Sequence, residues 1–514
     1  MKLKRQSIKW ALNHLLKLSD SDLFPRPIEL DIINELGDKA IDLLSSLEIK
    51  EIKPGPPRRF IVPKGELSYR VATQLDPLDS IFLAAIIYEF GEDIERKRIP
   101  KEDEKVFSYR FSPDSSGHFY DKNFSWSTFW DKCKQKSENF RYVVSLDIAD
   151  FYNQVYHHSI ENQLLDCKLP KEVIDWVMRL LKGITVRVSR GIPVGPHSTH
   201  LLAEISLNPI DNSLKARGVE FSRYIDDFII YCNSKEEARS SIYLMAYILD
   251  KQQRLILQSQ KTKIFKKEEF QKFCDHMIED RPINDLESSI ISIIKKYSGD
   301  NPYKIVYLSE IADDDLKYFN EVAITKIFND YLNKENPNFV RLRWFIRRLS
   351  QVGHPSALKF LIENFEKLTP AISDICHYFV SVNNFSTQEW PNVGEELLEL
   401  LDNQIIKSNE YFQMSIYSLF NRKIELNHLD KLLRTYKNAP PLIQREIIIA
   451  AYKNGASDWI RELKESYRSM DPWSKRAYLI ACSILPKDEK KFFLGSIKPE
   501  RKLDELIIEW AKMT

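Results

Sequence analysis

Cysteine is rare in this sequence, and the cysteines present lie far apart. Six of them are spread over 514 residues, and no two have the spacing of zinc ligands or of a disulfide framework. This pattern excludes a scaffold held together by disulfide bonds. We therefore expect reduced thiols, as in a protein of the cytosol.

Long apolar runs are also absent. No run reaches the length of about 20 residues that a membrane-spanning helix needs. Residues 1–18 mix lysine and arginine with apolar residues, so they lack the uninterrupted apolar core of a signal peptide. The sequence thus predicts a protein without a membrane partner.

Neither sign of charge is in excess. Lysine and arginine number 75, aspartate and glutamate 74, and the formal net charge is +1. A protein that binds a long nucleic acid along its length does so with cations that neutralise phosphates. The near-neutral balance argues against such a binding mode, so we expect any nucleic-acid channel to be local.

Changes in composition and in apolar pattern along the chain predict three parts. Residues 1–140 begin with short helices ended by prolines, and residues 141–290 alternate strand-like and helix-like segments. In residues 291–514 glycine is scarce and amphipathic helices follow one another, among them segments predicted over residues 371–382, 394–407 and 440–454. Neighbouring helix pairs recur at roughly 35–45 residues, which indicates a solenoid of the HEAT type. A plain helical bundle is the alternative.

Three aspartates stand out in the middle part. An apolar run predicts a buried strand that ends at Asp147, and residues 221–232 predict a hairpin with Asp226 and Asp227 at its tip. Taken separately, Asp147 could be a helix N-cap and the acidic pair a surface turn. Together they could hold the two Mg²⁺ ions, roughly 3.5–4 Å apart, that nucleotidyl transfer requires.

Further segments could bind the substrate. Gly195 lies in a glycine–proline loop before a predicted helix and could let the backbone approach a base pair or sugar closely. Lys261 could reach a triphosphate or protonate the pyrophosphate leaving group. Lys64 and Arg70, on a predicted strand–turn–strand, could cradle the triphosphate. The alternatives are a plain loop that starts a helix, a solvated lysine and ordinary surface charge.

The order and spacing of these segments resemble the palm of reverse transcriptases. Asp147 with Tyr152 resembles motif A, and residues 191–195 resemble motif B. Residues 224–227, Tyr-Ile-Asp-Asp, resemble motif C, and residues 257–262 resemble motif D. Four motifs in this order are a specific signal.

The resemblance covers about residues 55–270 and implies an α+β fold. In that fold residues 1–140 are N-terminal helices and fingers, and residues 141–290 are the palm. An all-α, HEAT-like helical-repeat domain over residues 291–514 then replaces the thumb that usually follows motif D.

The resemblance also implies roles for individual residues. Asp147, Asp226 and Asp227, with the backbone carbonyl of Ile148, would bind Mg²⁺ or Mn²⁺. Tyr152 would lie beneath the sugar and exclude a 2′-hydroxyl, which selects deoxynucleotides. The three cations named above would hold phosphates, and Lys261 would also be catalytic.

Within the superfamily the chain is similar to bacterial abortive-infection and defence-associated reverse transcriptases. Residues 152–159 and 108–112 resemble that group's motif A and fingers signatures, and Val194 stands where motif B usually has glutamine. The resemblance implies a homo-oligomeric phage-defence enzyme of the bacterial cytoplasm. It would polymerise dNTPs from a protein hydroxyl without a conventional template, leaving single-stranded DNA attached to the protein.

Features of the sequence itself also favour relaxed template use. Val194 cannot make the hydrogen bonds of a glutamine, residues 264–270 lack the glycine-containing hairpin of a primer grip, and the net charge is near zero. A templated enzyme that copies a dedicated noncoding RNA is the main alternative. A binding scaffold that has lost its chemistry is another, and the intact aspartates and Lys261 argue against it.

Overall fold

The computed structural model describes residues 1–186, 188–278, 282–299, 301 and 304–514. The chain folds into two compact units. The first unit comprises Met1–Ser21, Arg26–Arg59 and Thr73–Asp280, and the second comprises Asp22–Pro25, Phe60–Ala72 and Arg281–Thr514. The predicted division into three parts stays a prediction.

Six strands form two sheets, one of two strands (β1–β2) and one of four in the order β4–β5–β3–β6. The strands are β1 Arg58–Gly65, β2 Ser68–Gln74, β3 Tyr142–Asp147, β4 Phe221–Tyr224, β5 Asp227–Cys232 and β6 Lys263–Lys266. All pairings in the four-stranded sheet are antiparallel.

The first unit also contains helices, three of which pack on this sheet. The helices of this unit are α1 Arg5–Leu18, α2 Ile28–Glu35, α3 Asp38–Ser46, α4 Pro77–Glu95, α5 Trp126–Ser137, α6 Phe151–Gln154, α7 His157–Asp166, α8 Lys171–Ile184, α9 Thr199–Ser206, α10 Asn208–Ala216, α11 Lys235–Gln253 and α12 Lys267–Ile278. α5 and α12 pack on each other and on the sheet, and α11 packs on β3 and β5.

Apolar side chains on both faces of β3 explain why the four-stranded sheet is buried. Val143, Ile229 and Tyr231 share one hydrophobic cluster with aromatic residues of α5 and α12. Val144 and Leu146 are also buried and alternate with Val143 along β3, so they point to the opposite sheet face. Both faces of the strand are therefore covered, which explains why the residues before Asp147 are apolar except for Ser145.

Apart from Asp22–Pro25 and residues 60–72 of the β1–β2 hairpin, the described residues of the second unit are mainly helical. Its helices are α13 Asp285–Ser298, α14 Asp313–Leu316, α15 Glu321–Leu332, α16 Phe339–Val352, α17 Leu358–Glu363, α18 Ile372–Ser381, α19 Trp390–Leu400, α20 Gln404–Lys407, α21 Glu410–Arg422, α22 Leu429–Thr435, α23 Pro441–Lys453, α24 Ser457–Glu462, α25 Pro472–Ala481, α26 Lys487–Ser496 and α27 Lys502–Met513.

Six of these helices form a stack. α16, α18, α21, α23, α25 and α27 each pack on the next one in chain order, and beyond Lys266 the described residues form no strand. The helical C-terminal part is thereby confirmed, whereas its HEAT-like repeat character stays a prediction. The single helix expected over residues 394–407 is wrong, because α19 ends at Leu400 and the side chain of Asn403 caps α20.

Two expectations drawn from the scarcity of residue types can be compared with the structure. All six cysteines are buried and unpaired, as the spacing of the cysteines predicts. Among the described residues, no helix has the length and apolar character required to cross a bilayer.

Candidate active site

Strand pairing brings the three aspartates together at one end of the four-stranded sheet. β3 ends at Asp147, whose partner in the antiparallel register is Asp227. Such partners lie about 4.5–5.5 Å apart. The N–H of Ile148 donates to the backbone oxygen of Asp226 at 3.2 Å. The strand and the hairpin tip predicted from the sequence are thus confirmed, and they meet.

The hairpin turn that carries Asp226 is strained but well supported. Ile225 has a φ of 53°, a left-handed conformation that is costly for a β-branched residue. Its N–H donates to Oγ of Ser108 at 2.8 Å, and its carbonyl accepts from the Arg223 guanidinium at 2.9 Å. Both backbone groups of the strained residue are therefore fixed from outside the turn.

Beneath the turn lies a buried network of charges. Ser108 Oγ donates to Glu204 at 2.5 Å, and Glu204 also accepts from Arg98 at 2.6 Å and pairs with Arg223 at 3.1 Å. Arg223 donates twice to Asp211, at 2.8 and 2.6 Å. Burial alone would raise the pKa of Glu204, but Arg223 and Arg98 lower it below its ordinary value. Two arginines and two carboxylates balance one another.

The side chain of Lys261 contacts the cluster of three aspartates. Its Nζ donates to Oδ2 of Asp147 at 2.6 Å. Burial opposes the charge of the lysine, but the hydrogen bond to Asp147 and the charges of Asp147, Asp227 and Asp226 raise its pKa. The N–H of Gln258 donates to the Asp147 carbonyl at 2.7 Å, which holds the segment before Lys261 against the end of β3. One ammonium group thus faces all three carboxylates.

The electrostatics of Asp227 show how crowded this end of the sheet is. Burial, followed by the charges of Asp226 and Asp147, raises the pKa of Asp227 to about 7, and Lys261 acts in the opposite direction. Three carboxylates at close range carry more negative charge than one lysine compensates. Carboxylate oxygens are also the ligands that Mg²⁺ prefers, so the donor chemistry fits a divalent ion.

The arrangement of side chains does not itself form a metal cage. In the part of the chain that the structure describes, no group of three His, Cys, Asp or Glu residues could hold a metal ion, and the Lys261 ammonium lies on Asp147. The role of Asp147, Ile148, Asp226 and Asp227 as metal ligands therefore stays a prediction.

Tyr152 belongs to the same region. It lies on α6, directly after β3, and its hydroxyl is hydrogen-bonded to Nδ1 of His200 at 2.7 Å. Burial raises the pKa of Tyr152 well above its ordinary value, and the nearby Asp226 contributes in the same direction. The phenol therefore keeps its proton.

Gly195 has a structural reason to be glycine. Its φ is 129°, and a Cβ there would lie 3.2 Å from the Thr73 carbonyl oxygen and 3.3 Å from Ser21 Oγ. The N–H of Thr73 donates to the carbonyl of Val194 at 2.8 Å, so the loop packs closely against the end of β2. An approach of Gly195 to the substrate stays a prediction.

Lys64 and Arg70 lie on β1 and β2 as the sequence predicts, within residues 60–72 of the second unit. Lys64 is exposed. Burial, followed by the charge of Arg343, lowers the pKa of Arg70, and Asp22 opposes this effect. Their predicted contact with the triphosphate stays a prediction.

Sequence reasoning missed the residues that support the site. Arg98, Glu204, Arg223 and His200 carry no local signal, because their partners are far away in sequence. Ser108 lies in a segment that the sequence marks as a fingers signature, but its bond to Ile225, 117 residues away, is not visible there.

Comparison with known proteins agrees with this geometry. The family model described as reverse transcriptase (RNA-dependent DNA polymerase) matches residues 67–274. These residues form a reverse transcriptase domain. The match to residues 67–274 supports a nucleotidyltransferase domain of the RNA-directed DNA polymerase type.

No curated protein matches the sequence. One solved structure that resembles it is telomerase from Candida albicans in complex with a TWJ fragment of telomeric RNA, at 8% identity and a TM-score of 0.31. The likeness covers 66% of this chain and 65% of that one, so this chain spans just under two-thirds of that telomerase. A similarity this low carries no argument about function.

Proposed function

We propose that this protein is a DNA polymerase of the reverse transcriptase type that acts in antiphage defence. It polymerises dNTPs, is primed by one of its own hydroxyl groups and needs no conventional template. The observation that carries the catalytic part is the convergence of Asp147, Asp226 and Asp227 within a reverse transcriptase domain.

Each residue of the site has a role in this proposal. Asp147, Asp226 and Asp227, with the Ile148 carbonyl, would hold Mg²⁺ or Mn²⁺, which supplies the Lewis acid for attack by a 3′-hydroxyl and stabilises the triphosphate. Lys261, which keeps its proton, would neutralise phosphate charge and donate to the pyrophosphate.

Selection of the sugar and of the phosphates involves residues on other elements. Tyr152 would exclude the 2′-hydroxyl of a ribonucleotide with its half-buried ring. Lys64 and Arg70 of the β1–β2 hairpin would hold the triphosphate, and Gly195 would let the motif B loop approach the nucleotide.

Three features of the chain support protein priming and template independence: a residue of motif B, the connection after motif D and the balance of charge. Val194 replaces the usual glutamine of motif B. β6 ends at Lys266 and α12 begins at Lys267, so no glycine hairpin of the primer-grip type follows motif D. The balanced charge of the chain fits a weak hold on a long duplex.

The biological part of the proposal rests on the sequence signatures of the defence-associated group. We propose a cytoplasmic homo-oligomer whose helical C-terminal domain takes the place of the thumb and whose product is single-stranded DNA. Residues 108–112 and 152–159 resemble those signatures, and the stack from α16 to α27 fits a helical domain in that place.

A purified-protein assay tests the catalytic assignment. The D226N/D227N variant should abolish incorporation of labelled dNTP, because two of the three carboxylates lose their charge. D313N/D314N changes an exposed aspartate pair and should leave incorporation intact. Incorporation by D226N/D227N at the level of this control contradicts the assignment.

A second candidate function is a templated enzyme that copies a dedicated noncoding RNA. The description of the matching family as RNA-dependent DNA polymerases favours it. Mass spectrometry and nuclease digestion of protein purified from cells distinguish the two. DNA of random or homopolymeric sequence bound covalently to the protein supports the proposal. A fixed product complementary to a co-purifying RNA supports the second candidate.

A further inference from the structure

The ring of Tyr152 is held by a partner that the sequence motifs do not include. Its hydroxyl is 2.7 Å from Nδ1 of His200, a residue near the start of α9. The two ring planes are perpendicular, with centroids 6.1 Å apart, so the imidazole meets the end of the phenol. A rotation of the Tyr152 ring about its side-chain bonds would move its hydroxyl, so the hydrogen bond to His200 restricts the tilt of the ring.

His200 is itself held on the opposite side. Its ring is stacked on Tyr109, with centroids 4.0 Å apart and an interplanar angle of 5°. Tyr120 packs against Tyr109 at 4.9 Å, and its hydroxyl donates to the carbonyl of His197 at 2.7 Å. A row of rings therefore extends from Tyr120 through Tyr109 and His200 to Tyr152.

The platform under His200 is fixed by the buried network. Tyr109 has a φ of 46° and lies between Ser108, which bonds Glu204, and Arg110, which donates to Glu95 at 2.9 Å. Ser108 and Arg110 are both fully buried. The segment that supports the catalytic turn thus also fixes the ring on which His200 rests.

The Tyr152–His200 hydrogen bond depends on the imidazole nitrogen. Burial raises the pKa of the phenol and keeps it protonated, and its hydroxyl is hydrogen-bonded to Nδ1 of His200, with the direction of the bond set by the histidine tautomer. Phenylalanine at position 200 would keep a ring on Tyr109 but offer no acceptor. Asparagine would lose the ring but offer an amide oxygen.

We propose that His200 is a positioning residue for sugar discrimination, which holds the ring of Tyr152 where a 2′-hydroxyl would collide with it. The inference rests on the proposed function, because it takes Tyr152 as the residue that excludes ribonucleotides. A steric barrier depends on the placement of its atoms to within about 0.5 Å, so a ring that tilts discriminates less.

The test measures kcat/KM for a dNTP and for the matching ribonucleotide, and takes their ratio as the discrimination. H200F and Y152F should each lower this ratio about three- to tenfold, the effect of one lost hydrogen bond. For H200F the dNTP value itself should stay within about twofold. The double variant H200F/Y152F should be no worse than either single one, because both remove the same bond. H200N, which offers an amide oxygen, should have a ratio between those of H200F and the wild type.

A matched control is H158F, since His158 is a histidine with an 80% exposed side chain, and it should keep the wild-type ratio. Y152F leaves His200 on Tyr109, so it gives the same measurement if H200F folds poorly. An unchanged ratio in H200F and Y152F, or losses that multiply in the double variant, overturns the inference alone. A wild-type protein that incorporates no nucleotide overturns the proposed function, and this inference with it.

Discussion

Replacing Ser108 by alanine should destabilise the first unit and impair the catalytic turn. The hydroxyl of Ser108 accepts from the N–H of Ile225 and donates to Glu204. S108A removes both bonds with the loss of a single atom. It leaves the Ile225 N–H, in a turn of left-handed conformation, without its partner.

The magnitude follows from the groups left behind. A buried polar group that loses its partner costs about 1–3 kcal/mol. Ile225 is only partly buried, and Glu204 keeps Arg98 and Arg223, so both losses belong near the lower end. We expect a total of about 2–4 kcal/mol, which lowers the melting temperature of a unit of this size by roughly 5–10 °C. Incorporation of dNTP should fall about tenfold if the turn loses near 1.4 kcal/mol of its support.

Thermal unfolding followed by circular dichroism, together with dNTP incorporation at a temperature well below the transition, measures both effects. S240A is the matched control, because Ser240 is exposed on α11 and its loss should shift the melting temperature by less than about 1 °C. If S108A and S240A melt together, the two hydrogen bonds do not support the turn. A normal rate with a lowered melting temperature would show that the network stabilises the fold but not the site.

Three further variants test other parts of the structure. K261M removes the ammonium group from Asp147, where it would compete with a metal ion. Mg²⁺ should therefore raise the melting temperature of K261M more than that of the wild type. Equal shifts in the two proteins would show that lysine and metal do not compete. G195A should cost about 1–3 kcal/mol of stability because of its φ and its contacts with Thr73 and Ser21, whereas G183A, on a helix with open space around it, should not destabilise. Burial lowers the pKa of His14 from 6.5 to about 3, so the folded state binds fewer protons than the unfolded state between these values. The stability that this shift contributes is then fully present above pH 6.5 and falls by about 2 kcal/mol by pH 5. H14L should largely remove this loss. Denaturant titrations of both proteins above pH 6.5 and at pH 5 measure the difference.

How much of the site is predictable depends on how local its signals are. The strand that ends at Asp147 and the hairpin of residues 221–232 follow from short apolar runs, and both are present. The approach of Lys261 to the carboxylates follows from motif order only in outline, since the sequence directs the lysine to a phosphate. The network of Arg98, Glu204 and Arg223 has no such signal, because it joins Arg98 to Glu204, 106 positions away.

The helical part shows the same limit. Predicted segments over residues 371–382 and 440–454 agree with α18 and α23 to within one residue at each end. The apolar pattern does not predict α16, although its buried residues follow a helical period. Its basic residues weaken that pattern, and Arg343 and Arg347 are paired with Asp374. Ion pairs between helices let cations occupy positions that the sequence alone assigns to solvent.

The register of β3 against β5 determines which aspartates face each other, and apolar residues set that register. A slip of one residue would pair Asp147 with Phe228 and turn Asp227 to the other face of the sheet. Phe228 now pairs with Leu146, and both are fully buried. Because both faces of the sheet are covered, the slip would move side chains into packed layers that do not fit them, at a cost of about 1–3 kcal/mol for each misfit. Burial and, after it, the charges of Asp226 and Asp147 raise the pKa of Asp227, so the carboxylates repel one another and cannot hold the strands in place themselves. Burial of their apolar neighbours therefore holds the carboxylates together against that repulsion.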